Sequence, residues 1–437
     1  IDRYGDYFFV DYPQTSGVMH GESYCYFRRG GNYRLIASLD ERAGYTLLRY
    51  DSRCGVLTIS RDCAGVRCGG VFPALELYYA EGGEDAVFDG WFAAMGVKSR
   101  GAKRLCGYSS WYNRYQNIDA ESITGDLAGC AEHMLPGNLF QIDDGWEPAV
   151  GDWLETDAKK FPDGLKGTVG DIHGRGFLAG LWLAPFVCQK DSKIFREHPD
   201  WLLLHDGKPW YCGSNWGGFY ALDIDNAEFV RYLEQTFSLV LNDWGFDLVK
   251  LDFLYAAAPF GDVRESRAGR MTRAMELLRR LCGDKLILGC GVPLMPSFGL
   301  VDYCRISCDV GLDWDNSLIM RHTNRERVST RQAIGNSISR RQLNGRAFGN
   351  DPDVFFLRES NIRLSETDKY KLAVVNSLFG TLFLTSDNMG EYGSEAAALY
   401  ERLRTLSERA ENIRVDTDNG LTVYYDLEGT EQVLEIE

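Results

Sequence analysis

The sequence lacks any apolar run approaching the ~20 residues that a membrane-spanning helix needs, so no membrane span is expected. Histidine is scarce, and His20, His133, His173, His198, His205 and His322 show no ligand spacing. Neither a Walker loop nor a Gly-x-Gly-x-x-Gly fingerprint occurs. No metal and no cofactor are therefore expected. Basic charge is also in deficit: 47 Lys and Arg face 63 Asp and Glu, giving a net charge of −16. That balance opposes binding to a phosphate backbone, and nucleic acid is a poor partner. Repeats, low-complexity tracts and Pro/Ser-rich linkers are missing too, so neighbouring domains are expected to touch directly. The N-terminus has no basic stretch followed by an apolar one, which points to a cytoplasmic protein. It opens on Ile1 rather than Met, so an upstream segment is expected to have been removed.

What is present is a chain of 437 residues, longer than the ~250–300 at which one core stops growing. Twelve cysteines spread from Cys25 to Cys308 in a chain large enough to fold without staples, and are read as reduced thiols. Residues 1–97 form short aromatic and β-branched stretches between Gly or Asp turns: Tyr7–Val10, Tyr24–Phe27, Leu47–Tyr50 and Leu75–Tyr79. This predicts an all-β domain. From Leu105 apolar runs alternate with amphipathic segments, the texture of βα units. Eight runs are found: Leu105–Ser110, Leu139–Asp143, Phe177–Leu183, Phe246–Asp252, Leu286–Gly289, Tyr303–Cys308, Ala347–Asn350 and Thr381–Ser386. Eight predicts a (β/α)8 barrel, an α/β fold, over residues 98–411. Phe229, Leu233, Phe237 and Val240 make one helical stripe, with Asp225 and Glu228 as a capping box; Met271, Met275 and Leu278 make another. Between Gly291 and Asp302 there is room only for a helical turn or short helix. A helix over 391–409 and a small antiparallel β domain at 412–437 complete the chain.

In such a barrel, chemistry sits at the C-terminal ends of the strands. Strand two ends in Asp143-Asp144-Gly145-Trp146, strand four in Lys250-Leu251-Asp252, and strand six runs into Asp309. One Asp at a strand end is as readily a helix cap. Four of them near Trp111, Trp146, Trp182 and Trp314 suit a sugar, whose C–H faces want aromatic rings and whose hydroxyls want carboxylates. Lys250 and Asp252, two apart on a strand, project to the same side, where the ammonium favours an ionised carboxylate and hence a nucleophile. Arg305 and Asp309 form a second cation–carboxylate pair. Asp309, just past its strand, is placed to hold a proton. Paired carboxyl groups of this kind are what glycoside hydrolysis requires, with stereochemistry set by a separation that sequence does not supply.

These residues resemble clan D glycosidases, and in particular the α-galactosidases of glycoside hydrolase family 36. The matching stretches run from about Trp111 to Asn388: Asp143-Asp144-Gly145-Trp146, Gly151-Asp152-Trp153, Gly180-Leu181-Trp182-Leu183-Ala184-Pro185-Phe186, His198-Pro199-Asp200-Trp201, Asn215-Trp216-Gly217-Gly218, Lys250-Leu251-Asp252-Phe253-Leu254, Gly289-Cys290-Gly291 and Asn350-Asp351-Pro352-Asp353. The resemblance implies Asp252 as nucleophile and Asp309 as acid/base, acting with retention on terminal α-galactosyl residues. It implies that Asp143 and Asp144 accept hydrogen bonds from the sugar's 4- and 6-hydroxyls and that Lys250 and Arg305 hold the hydroxyls at C3 and C2. Trp182, Trp111 and Tyr112 would be pocket walls. Cys290 would lie beside the sugar, a reading no stronger than that of a small buried residue. It further implies that residues 1–97 are the last part of a larger N-terminal β-sandwich. The family's larger members carry Cys-x-x-Gly-x-Gly after strand five, whereas this chain has Gly289-Cys290-Gly291, which leaves the contact at C2 open.

The alternatives are an α-N-acetylgalactosaminidase, a galactosyltransferase resembling raffinose synthases, and a non-catalytic sugar-binding protein. Self-association is left open.

Overall fold

The structure, a computed structural model, describes residues 16–315, 328–417 and 420–436. The expected strand over Tyr7–Val10 lies outside the described residues, as does His322. Two three-stranded antiparallel sheets open the fold. One pairs Val18–Glu22 and Val56–Asp62 on either side of Tyr45–Asp51, and the other pairs Tyr24–Arg29 and Leu77–Gly83 on either side of Asn32–Ser38. This stretch is not all β. A helix, Glu84–Met95, buries Val87, Phe88, Trp91 and Phe92, a spacing of one helical face that short-range β patterning overlooks. Trp91 Nε1 donates to the carbonyl of Ser38 at 2.8 Å, and Phe92 meets Phe298 at 5.3 Å between ring centroids. The helix thereby joins the first sheets to the larger body of the chain.

Eight parallel strands come next, paired in chain order: Leu105–Ser109, Leu139–Ile142, Leu178–Leu183, Leu248–Leu251, Leu286–Gly289, Tyr303–Arg305, Gly349–Asp351 and Leu382–Thr385. The eighth pairs with the first, Leu384 opposite Gly107. Between seventh and eighth the seam is made by the Thr381 N–H donating to the carbonyl of Asn350 at 2.8 Å and a bridge between Phe355 and Thr385. The (β/α)8 barrel is therefore present. Its strands bury nearly every residue, as parallel sheets covered on both faces must.

Helices Ala120–Cys130, Lys166–Gly174, Ala227–Ser238, Arg267–Cys282, Thr330–Ser339, Glu366–Phe379 and Ser394–Arg409 cover the outside. Strand five is followed by only a single 3₁₀ turn, Met295–Ser297, in the short connection expected to hold no more. Phe229, Leu233, Phe237, Val240, Met271, Met275 and Leu278 all face the core. The expected capping box of Asp225 and Glu228 does not form. Asn226 caps the helix instead, its side chain accepting from the N–H of Glu228 at 2.9 Å and of Phe229 at 3.1 Å. Asp225 is drawn away by Arg270 and Arg273 of the following helix, at 2.7 and 2.9 Å. An antiparallel sheet of Glu411–Asp416, Thr422–Leu427 and Thr430–Glu435 ends the chain. Among the described residues no helix is long and apolar enough to cross a membrane.

Gly107 shows how tightly the barrel closes, since a Cβ there would sit 2.2 Å from the carbonyl oxygen of Leu139 on the next strand. Gly125, on an exposed helix face, would meet nothing within 4 Å. Gly107→Ala is expected to cost about 1–3 kcal/mol through overpacking. Gly125→Ala should instead stabilise by about 0.4–1 kcal/mol by restricting the unfolded chain. Paired thermal melts check this, and equal shifts of one sign would contradict it.

Candidate functional site

Asp143 leaves strand two on the same side as Gln141, because alternate residues of a strand share a face. Its Oδ2 accepts from Gln141 Nε2 at 2.8 Å and from Lys250 Nζ at 2.9 Å, and its Oδ1 accepts from the Asp144 N–H at 3.0 Å. Asp143 and Lys250 are both buried. Burial is the largest single influence and disfavours the Lys250 ammonium, but Asp143, joined by Cys290 and Asp252, raises its pKa on balance, so the cation persists. Removing one partner of such a pair costs about 3–5 kcal/mol, although the intact pair adds little net stability. Its role is geometric. The expected pairing of Lys250 with Asp252 is corrected: the ion pair is with Asp143, and Asp252 feels the ammonium only at longer range.

Asp144 turns the other way. Its Oδ2 accepts from Gln116 Nε2 at 2.8 Å and from the Trp216 indole at 2.9 Å. Both donors also line a pocket of about 230 Å³ beside it. Burial pushes the Asp144 pKa up while these donors pull it down. Gln116 is placed by the turn Trp111–Arg114, which Arg114 fastens by a two-point contact with buried Asp126, at 2.7 and 2.6 Å. Trp216 is held against Phe253 and Trp182, with centroids at 5.0 and 6.1 Å.

Asp252 stands where strand four ends. Its N–H continues the ladder to the carbonyl of Leu183 at 2.9 Å. The carboxylate is aimed by two donors, Trp182 Nε1 to Oδ2 at 3.2 Å and the Phe253 N–H to Oδ1 at 2.7 Å. Phe253 adopts a left-handed backbone, φ 53°, which turns its N–H back onto the preceding side chain. Gly291 permits the close packing: a Cβ there would be 3.2 Å from Asp252 Oδ1. Cys290 is buried beside this carboxylate, and burial first, then Asp252, push its thiol pKa well up. The neutral thiol is neither a nucleophile nor a metal ligand. Arg305, Lys250 and Asp309 act on the same thiol, so the site converges around it.

Strand six supplies Arg305, buried in the barrel. Its guanidinium is engaged by three carboxylates: Nε with Asp351 at 2.9 Å, Nη1 with Asp309 at 2.9 Å and Nη2 with Asp353 at 2.8 Å. Tyr112 donates its hydroxyl to Asp353 at 2.7 Å and so braces that carboxylate. Asp309 lies four residues beyond the end of its strand, which stops at Arg305 rather than at Cys308. It keeps 37% of its side-chain surface accessible, through the mouth, yet its surroundings are protein and carboxylates. Burial first, then Asp353, push its pKa up to about 6 against the pull of Arg305 and Lys250, and Asp252 adds to the rise.

The structure thus gathers Asp143, Asp144, Lys250, Asp252, Cys290, Arg305, Asp309, Trp182 and Tyr112 on one mouth. Trp111 stands partly exposed at the rim, against Tyr115 at 5.2 Å, with no polar contact to these carboxylates. Trp146 is fully buried core, its Nε1 on the carbonyl of Trp182 at 2.9 Å. Sequence reasoning missed Asp351, Asp353, Gln116, Glu147 and Trp216 as members of the site. The strand-end rule finds the first two once strand seven is ended at Asp351 rather than Asn350. No local pattern marks Gln116.

The melibiase family model matches residues 102–275. A structure of TtGalA, an α-galactosidase from Thermus thermophilus in complex with p-nitrophenyl α-D-galactopyranoside, is 30% identical, with a TM-score of 0.77, over 94% of this chain and 80% of that one. The same protein in complex with stachyose matches at 31% identity and a TM-score of 0.74, over 88% of this chain and 80% of that one. An α-galactosidase from Escherichia coli is 32% identical over 39% of this chain, and the chain spans only 25% of that relative. With that identity and that fold sustained over most of a solved relative, the chain belongs to the melibiase family of glycoside hydrolase family 36.

Proposed function

We propose that the chain hydrolyses terminal α-galactosyl residues of galactosides and galacto-oligosaccharides with retention of configuration. The observation that carries this reading is the unequal treatment of two carboxyl groups on one mouth. Asp252 has two N–H donors that favour its anion, whereas Asp309 is pushed towards the protonated form at about 6. In the first step an Asp252 oxygen attacks the anomeric carbon as the glycosidic bond breaks, and the proton of Asp309 passes to the departing oxygen. A glycosyl-aspartate results. Asp309, now a base, takes a proton from water, whose oxygen attacks the same carbon and releases Asp252.

Asp143 and Asp144 serve as acceptors for the 4- and 6-hydroxyls. Arg305, engaged by three carboxylates, chiefly positions Asp309, and Lys250 holds Asp143. Trp182 offers its ring as a wall while its N–H steers the nucleophile. Membership of the melibiase family and the galactosides bound by the Thermus relative support galactose as the sugar.

Three outcomes are expected. Asp252→Gly should abolish turnover of an aryl α-galactoside, and azide should partly restore it as the β-galactosyl azide; wild-type-like activity in that variant would end the assignment. Asp309→Ala should cost about 10²–10⁴-fold with stachyose, whose leaving group needs a proton, and far less with a dinitrophenyl galactoside. Equal damage across leaving groups would count against it. Because a general acid must be protonated, kcat/KM for stachyose should fall as pH rises through about 6. With the dinitrophenyl galactoside, whose leaving group needs no proton, the same limb should be absent from the unmodified protein.

A further inference from the structure

Asp144 accepts from a sugar hydroxyl most strongly as an anion, yet it is buried and adjoins Asp143. Its Oδ2 is supplied by Gln116 and Trp216. Its Oδ1 is buried with no donor among the N–H and hydroxyl groups around it. Another carboxyl, Glu147, itself only 6% exposed, is in side-chain hydrogen-bond contact with Asp144. Gly145 makes the meeting possible. At φ 117° it turns the chain back on itself, and a Cβ there would fall 2.8 Å from the backbone of Gln116.

Two carboxyl groups in such contact cannot both be ionised, and they share one proton. The donors decide which of them holds it. Asp144 has two side-chain donors at 2.8 and 2.9 Å, while Glu147 has only backbone N–H groups, its own and that of Gly145, the latter at 3.4 Å. Burial and the charge of Asp144 both push the Glu147 pKa well up. The other charged groups of the adjoining pocket are engaged elsewhere: Lys160 Nζ donates to the carbonyls of Gln116 and Gly145 at 2.7 and 2.9 Å, and Asp157 accepts from the Lys159 N–H at 2.8 Å.

We infer that Glu147 is a positioning residue, a neutral carboxylic acid whose O–H donates to Asp144 and fixes it as an anionic acceptor for the sugar's C6 side. This rests on the α-galactoside reading above. Sequence patterning gives no hint of it, since Glu147 follows its strand by several residues and reads as an ordinary surface acid.

The test uses the whole chain, Glu147→Gln and Glu147→Leu, with p-nitrophenyl α-D-galactopyranoside and p-nitrophenyl β-L-arabinopyranoside, the same ring without its C6 hydroxymethyl. Turnover of the galactoside by the unmodified protein tests the parent reading by itself, and its absence would remove both. Given turnover, E147L is expected to raise KM for the galactoside about 10- to 100-fold, the worth of a hydrogen bond to a charged group, with kcat changed much less. The arabinoside should suffer less. E147Q, which keeps a donor at the same place, should recover most of the KM. If E147Q is as impaired as E147L, or if both sugars lose equally and only in kcat, the inference fails. Should E147L not fold, infrared difference spectroscopy of the unmodified protein against E147Q decides. The carbonyl stretch of a neutral carboxylic acid near neutral pH is expected, and its absence overturns the proposal.

Discussion

Charge balance among buried side chains is the constraint on which the rest of this structure turns. Asp143, Asp144, Glu147, Asp252, Asp309, Asp351 and Asp353 crowd one barrel mouth, and among the described residues the buried cations that answer them are Lys250 and Arg305. An uncompensated buried carboxylate costs several kcal/mol, so each must be accommodated in some way. Three solutions are visible. Asp143, Asp351 and Asp353 take ion pairs, Asp144 and Asp252 take N–H donors, and Asp309 tends to take a proton. The differing chemistry of otherwise identical side chains is the result of that allotment.

The scaffold makes it possible by what it leaves out as much as by what it supplies. Glycines at 107 and 349 let neighbouring strands approach until a methyl group would not fit, and Gly291 does the same beside Asp252. Rigid aromatic groups then act as donors as well as filling. Trp182 and Trp216 each aim an indole N–H at a carboxylate while packing against each other at a tilt of 57°. Side chains locked on both counts hold a charge in place without paying further entropy when a ligand arrives.

The barrel and the strand-end aspartates were legible in the sequence because both depend on local periodicity. Eight apolar runs at βα spacing admit few other arrangements, and residues two apart on a strand share a face whatever lies around them. Helix Glu84–Met95 escaped because it comes directly after strands and its stripe is short. Asn226 displaced Asp225 as a cap because arginines on another helix claimed the aspartate, a contact between segments 45 and more residues apart. The partners of Lys250 and Asp144 were hidden for the same reason. Gln116, Lys250 and Trp216 reach strand two from separate parts of the chain, and nothing in their own neighbourhoods announces the meeting.

Strands two and six stand on opposite walls of an eight-stranded barrel. The first presents Asp143 and Asp144, and the second, with strand seven, supports Asp309 through Arg305, Asp351 and Asp353. On the proposed reading Asp309 gives its proton to the oxygen that leaves, so the departing group crosses the rim above strands six and seven. Recognition of the ring and tolerance of whatever is attached to it are thus written on different walls by different segments of chain. On that reading, a change on strands six and seven alters which leaving group is accepted while the residues of strand two stay untouched.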